Sequence, residues 1–124
     1  KTVFDKGFAE GSLENFSDYA TKKGLEVITE VHSEDEFKEI LKNKKQLIGI
    51  NNRNLNTLEV DISVTIELLQ KFDKQNNTII SESGISTSDD IKKLRSIGVD
   101  AFLVGTSIME SENVFEKIKE LCHA

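Results

Sequence analysis

The chain has 124 residues, 37% hydrophobic and 31% charged, the size and make-up of one globular domain. Sixteen basic against 22 acidic residues give a formal charge of −6 with no strongly basic stretch, which excludes sequence-independent binding of nucleic acid, and no apolar run approaches the roughly 20 residues that span a bilayer. The lone cysteine, Cys122, has no internal disulfide partner and forms no metal cluster by itself, so a cytoplasmic protein with neither a secretory leader nor a bound metal is expected.

From the N-terminus, a loop leads into a helix from about Ser12 to Lys23, which Gly24 closes. Leu25 to Val31 is a β-branched apolar run and reads as a strand buried on both faces. Phe37, Ile40 and Leu41 then fall at helical spacing behind Ser33 and Glu36, a capping-box pair. A second strand, Gln46 to Asn51, follows. The loop from Asn51 to Val60 is about ten residues long, against the two to six usual between such elements. Ile62, Ile66 and Leu69 share a face of the next helix, with Asp61 as its N-cap. Asn77 to Glu82 is the third strand. Ile91 and Leu94 mark a helix capped within Ser86-Thr87-Ser88-Asp89-Asp90 and closed by Gly98. Ala101 to Gly105 is the fourth strand, Ser107 and Glu110 have capping-box spacing for a short extra helix, and a final helix runs from about Asn113 to Leu121. The pairs Lys22-Lys23 and Lys44-Lys45 fall at helix ends, where they complement the dipole.

Strands alternating with helices imply parallel pairing through right-handed crossovers, an α/β architecture. The strand starts recur about every 25 residues, and eight such units need about 200 residues, the lower end for a (β/α)8 barrel. Four strands make either a complete small open sheet or half of a barrel. Two features favour the half-barrel. The first element is a helix, whereas doubly wound domains usually begin with a strand. In addition, Thr29-Glu30-Val31-His32-Ser33 is echoed by Ser81-Glu82-Ser83-Gly84-Ile85-Ser86, each with a glutamate ending a strand before a serine-and-acid cap.

In parallel α/β folds the C-terminal strand ends carry the chemistry. Those ends hold Glu30 and His32; Asn51, Asn52 and Arg53; Glu82, Ser83 and Gly84; and Gly105, Thr106 and Ser107. Glu30 and Glu82 suit proton transfer, although a strand-end glutamate also serves as a helix cap or a lysine partner. Arg53 suits a carboxylate or phosphate, which a guanidinium grips with two parallel bonds. Ser83-Gly84 and Gly105-Thr106-Ser107 offer backbone donors to an anion, as the loops after the last two strands of phosphate-binding barrels do. With a net negative chain, local donors rather than overall charge must hold such a ligand. His32, Cys122 and His123 carry weaker signals, a histidine beside a helix cap being more often a supporting residue. Neither a metal-ligand spacing nor a dinucleotide fingerprint occurs.

Four motifs, Glu26-Val27-Ile28-Thr29-Glu30-Val31-His32, Ile48-Gly49-Ile50-Asn51-Asn52-Arg53-Asn54-Leu55, Ser81-Glu82-Ser83-Gly84-Ile85 and Gly98-Val99-Asp100-Ala101-Phe102-Leu103-Val104-Gly105, closely resemble the indole-3-glycerol-phosphate synthase family in order and spacing. The resemblance covers about residue 25 to the end. It implies strands five to eight of a (β/α)8 barrel, the C-terminal half, and a substrate, 1-(2-carboxyphenylamino)-1-deoxyribulose 5-phosphate, that closes to indole-3-glycerol phosphate without cofactor or metal. It further implies catalytic roles for Glu30, Asn51 and Glu82, and substrate contacts from Arg53, Ser83, Gly84, Gly105, Thr106 and Ser107. Thr106 stands where the family often has serine or glutamate. The family's catalytic lysines belong to strands one and three, so the 124 residues alone are expected to be inactive and to self-associate or to pair with an N-terminal half. Alternatives are another phosphate-binding barrel isomerase, such as phosphoribosylanthranilate isomerase, or a non-catalytic flavodoxin-like module.

Overall fold

Residues 12–42 and 46–124 are described by the computed structural model. The opening loop and the Lys44-Lys45 pair lie outside the described residues. In chain order the elements are α1 (Ser12–Lys22), β1 (Ile28–Val31), α2 (Glu34–Ile40), β2 (Leu47–Asn51), α3 (Ser63–Lys71), β3 (Thr78–Glu82), α4 (Ser88–Ser96), β4 (Ala101–Leu103), α5 (Thr106–Met109) and α6 (Val114–Cys122). Each apolar run does form a strand, but β1 starts three residues later than expected and β4 stops two earlier. Pairing sets both limits. Ile28 sits opposite Leu47, the first residue of β2, and Leu103 sits opposite Glu82, the last of β3. Beyond those points the edge strands have no ladder to join.

The pairings of the four-stranded sheet are parallel and the order is β1-β2-β3-β4. Among the described residues consecutive strands stay neighbours with no reversal of order, as consecutive units of a (β/α)8 barrel do. A doubly wound sheet needs a point where the order reverses, so the flavodoxin-like alternative is excluded.

Burial on both faces is also corrected. Side chains alternate along a strand, and only one set is covered. Val31, Ile48, Ile50 and Ile79 pack with Phe37, Ile40, Leu68, Ile91 and Leu94 from the helices in a single core. The opposite face is open: Ile28 is 49% exposed and Leu103 is 58% exposed. Each buried core aliphatic contributes about 1.5–3 kcal/mol, so this one-sided core accounts for the sheet–helix adhesion.

The helix ends largely follow their expected signals. Leu25 N–H reaches Ala20 C=O at 3.0 Å and Gly24 N–H reaches Thr21 C=O at 2.9 Å, closing α1. Ser33 caps α2 by accepting from Glu36 N–H at 3.3 Å, while the Glu36 carboxylate turns back to His32 N–H at 2.7 Å rather than to the cap residue. Thr87 and Asp90 make a complete capping box on α4, and Asn113 caps α6. α3 begins at Ser63, with Ile62 in the capping position. Asp61 still accepts the Ser63 N–H at 2.8 Å, one residue earlier than expected, and that bond holds its carboxyl below the usual aspartate range.

An exposed charge cluster ties α2 to α3. Glu34 receives Lys38 at 2.8 Å and Lys71 at 2.7 Å, and these bonds, the one from Lys38 first, pull its pKa from 4.5 down to about 2. A carboxyl depressed in the folded state favours folding fully above its unfolded value, and that contribution fades as pH falls from 4.5 through about 2. A carbon-13 titration of the Glu34 carboxyl should give a midpoint near 2. A midpoint at 4.5 would show that neither lysine is bound. Among the described residues no helix is long and apolar enough to cross a membrane, and no cluster of three His, Cys, Asp or Glu is placed to hold a metal ion.

Candidate functional site

Strand alternation and register converge on the open face. Glu30 of β1 pairs with Gly49 of β2, and one step further along, Asn51 pairs with Glu82 of β3. Asn51 Nδ2 donates to Glu30 Oε1 at 3.0 Å. From the other side Glu82, 6% exposed, reaches over β2, because a Cβ on Gly49 would collide with Glu82 Oε1. Glu30 and Glu82 thus flank a strand position that has no side chain. A glycine inside a strand marks a close approach, and that signal identifies Gly49, which the sequence-based candidates missed.

His32 lies two residues after Glu30, on the same face by alternation, and its Nε2 is 2.8 Å from Glu30 Oε1. Arg53 N–H donates to Asn51 Oδ1 at 2.9 Å, so the Asn51 amide is oriented at both ends. The long loop after β2 is not a loose turn. Arg53 and Val60 form an antiparallel bridge, Asn54 N–H meets Glu59 C=O at 2.8 Å, and the Arg53 guanidinium donates to Leu58 C=O at 3.1 Å. One arm of the guanidinium fork therefore braces its own hairpin.

Asn52, 1% exposed, points the other way and knits the loops together. Its Nδ2 donates to Ser81 Oγ and to Ser83 C=O, both at 3.0 Å, while its Oδ1 accepts from the Thr65 backbone at 3.2 Å and hydroxyl at 2.8 Å. Its backbone N–H donates to Glu82 C=O at 2.8 Å. Asn52 stood among the strand-end residues, but nothing in its local spacing distinguished this structural role from that of Asn51.

The turn after β3 requires unusual backbone. Ser83 and Gly84 have φ of 67° and 78°, and a Cβ on Gly84 would approach Val60 and Ile62 of the neighbouring loop. Beside it Arg53, Ser83, Gly84, Gly105, Thr106 and Ser107 line a cleft of about 310 Å³ together with Ile85, Leu103 and Val104. All six expected substrate-contact residues are therefore brought together. The capping box expected from Ser107 and Glu110 does not form. α5 starts at Thr106 with Gly105 in the capping position, Glu110 ends the helix, and the Ser107 hydroxyl donates instead to Ile85 C=O at 2.9 Å. A single helical turn beginning two residues early leaves Ser107 inside it. The hydroxyl thereby fastens the two cleft loops to each other. Cys122 is exposed, and His123 Nδ1 contacts Lys119 C=O at 2.7 Å, within α6 and its cap.

The family model for indole-3-glycerol phosphate synthase matches residues 4–121. Among curated relatives, the indole-3-glycerol phosphate synthase of Aquifex aeolicus is 44% identical over 114 residues, covering 91% of this chain and 44% of that protein. The synthase of Streptococcus pneumoniae is 43% identical over 113 residues, with the same two coverages, and that of Oceanobacillus iheyensis is 45% identical over 105 residues, covering 82% and 40%. The chain thus spans less than half the length of these relatives. Among solved structures, a mandelate oxidase mutant superposes on 99% of this chain, and on 42% of its own, with a TM-score of 0.62 at 17% identity, a likeness of fold alone.

Proposed function

The chain belongs to the indole-3-glycerol phosphate synthase family, whose fold is the (β/α)8 barrel, and on that premise we propose that its four β/α units supply the C-terminal half of such an active site. The reaction is ring closure of 1-(2-carboxyphenylamino)-1-deoxyribulose 5-phosphate to indole-3-glycerol phosphate, a carboxy-lyase step of tryptophan biosynthesis. A carbon–carbon bond forms between the aryl ring and the ketone carbon, carbon dioxide and water leave, and the ring aromatises. The observation that carries the proposal is one continuous rim, where Glu30, Asn51 and Glu82 on the open face run into the cleft of Arg53, Ser83, Gly84, Gly105, Thr106 and Ser107.

We assign the cleft to the phosphate. Its donors are backbone N–H groups of the two turns, the Ser83 hydroxyl and the free arm of Arg53. Gly105 supports this assignment. Its φ is −130° and a Cβ there would meet no atom within 4 Å, so nothing in the described protein requires glycine, whereas an anion drawn close to the backbone does. Glu30 and Glu82 take the proton-transfer roles, one on each side of Gly49, and Asn51 orients the polar groups of the substrate. The chemistry calls for no metal or cofactor.

Ring closure also needs a general acid at the ketone oxygen, and none of the four strands contains a lysine. That acid is assigned to the other half of the barrel, which pairs with the open face and with the β1 and β4 edges. The purified 124 residues should therefore give no product above a blank in an indole-fluorescence assay. Joined to the first half of the Aquifex aeolicus relative, they should turn the substrate over. Ring closure by the chain alone, free of any host synthase, overturns the division of labour.

A further inference from the structure

We propose that His32 is a positioning residue, clamping one oxygen of Glu30 so that the other is presented to substrate. The proposal rests on the assignment of Glu30 as a proton-transfer group. Glu30 Oε1 accepts from Asn51 Nδ2 at 3.0 Å and lies 2.8 Å from His32 Nε2. Among the described residues nothing bonds Oε2. Two donors from neighbouring strands fix the plane of the carboxylate and leave one oxygen for the reaction.

The network also fixes the proton on the imidazole. Asn51 Nδ2 is 3.4 Å from His32 Nε2, so a bare Nε2 would have a weak donor there but would set its lone pair against the Glu30 carboxylate at 2.8 Å. An Nε2–H removes that repulsion and makes a short hydrogen bond. The His32 backbone is held by Glu36, whose Oε2 accepts its N–H at 2.7 Å, and the same oxygen stands 3.7 Å from Nδ1, beyond hydrogen-bond reach. Glu36 is in turn seated by the Ser33 cap of α2. The start of α2 thereby bears on a carboxylate of the strand that leads into it. Glu30 and Glu36 are the charged groups that face the ring.

Two experiments test the proposal. In the chain itself, nitrogen-15 imidazole spectra should show neutral His32 protonated at Nε2. His123, whose Nδ1 faces the Lys119 carbonyl at 2.7 Å, should show the opposite tautomer, with His123→Gln assigning the signals. An Nδ1–H His32 overturns the clamp. In the chain joined to a complementary half-barrel, His32→Leu should lower kcat about 10- to 100-fold with little change in KM, and His32→Gln, whose amide nitrogen reaches the Nε2 position, should restore most of it. An unchanged kcat in His32→Leu, alongside a disabled Glu30→Gln, overturns the role of His32 alone. An unchanged kcat in Glu30→Gln overturns the assignment of Glu30, and the tautomer result stands apart from it.

Discussion

Replacing Glu30 or Glu82 by glutamine in a barrel completed around this chain should lower kcat by about 10²- to 10⁴-fold for each, with KM little changed. Glutamine preserves volume and hydrogen-bonding reach but neither gives nor takes a proton at neutral pH. The Asn51 bond to position 30 survives the change, because the amide oxygen still accepts. At position 82 the side chain keeps its place above Gly49. Loss of rate without loss of binding therefore isolates proton transfer from architecture. Steady-state kinetics on the two variants decides the matter, and a variant retaining full kcat removes that glutamate from the chemistry.

Gly49→Ala should be almost as damaging, although position 49 touches no reacting atom in the proposed mechanism. The added methyl would lie 3.0 Å from Glu82 Cδ and 3.1 Å from Ile28 Cγ2, and closer still to Glu82 Oε1. Something must give, and the Glu82 side chain is the part that swings. The expected cost is about 1–3 kcal/mol in a urea melt, together with a fall in kcat approaching that of Glu82→Gln. Coupling provides the check. The double variant Gly49→Ala with Glu82→Ala should regain most of the stability lost by Gly49→Ala, since the obstacle is gone. Strictly additive losses would mean that the Glu82 carboxylate does not occupy the space above β2.

Much of this arrangement was legible in the residues. β2 and β3 are internal strands, and their β-branched runs and observed limits agree to within a residue. The limits of β1 and β4 were overdrawn for a physical reason: an apolar residue such as Leu25 or Val104 has strand character, but the ladder ends where the neighbour ends. Burial on both faces was inferred from apolar content alone, yet the exposure of Ile28 and Leu103 depends on what lies across the sheet. In the site, alternation placed Glu30 and His32 together, whereas their 2.8 Å contact depends on the rotation of both side chains. The hairpin from Arg53 to Val60 leaves no mark in the sequence because its bridge joins residues with no strand pattern around them. Ser107 had the right neighbour at Glu110 for a cap, but Gly105 took the capping position first.

The buried amide of Asn52 has a mechanical consequence. By holding Ser81 and Ser83 on one side and Thr65 on the other, it makes the rims after β2 and β3 a single rigid piece. The cleft proposed for the phosphate and the amide of Asn51 then keep a constant separation, like two marks on a ruler. Movement that closes over a ligand then falls to segments other than these two rims.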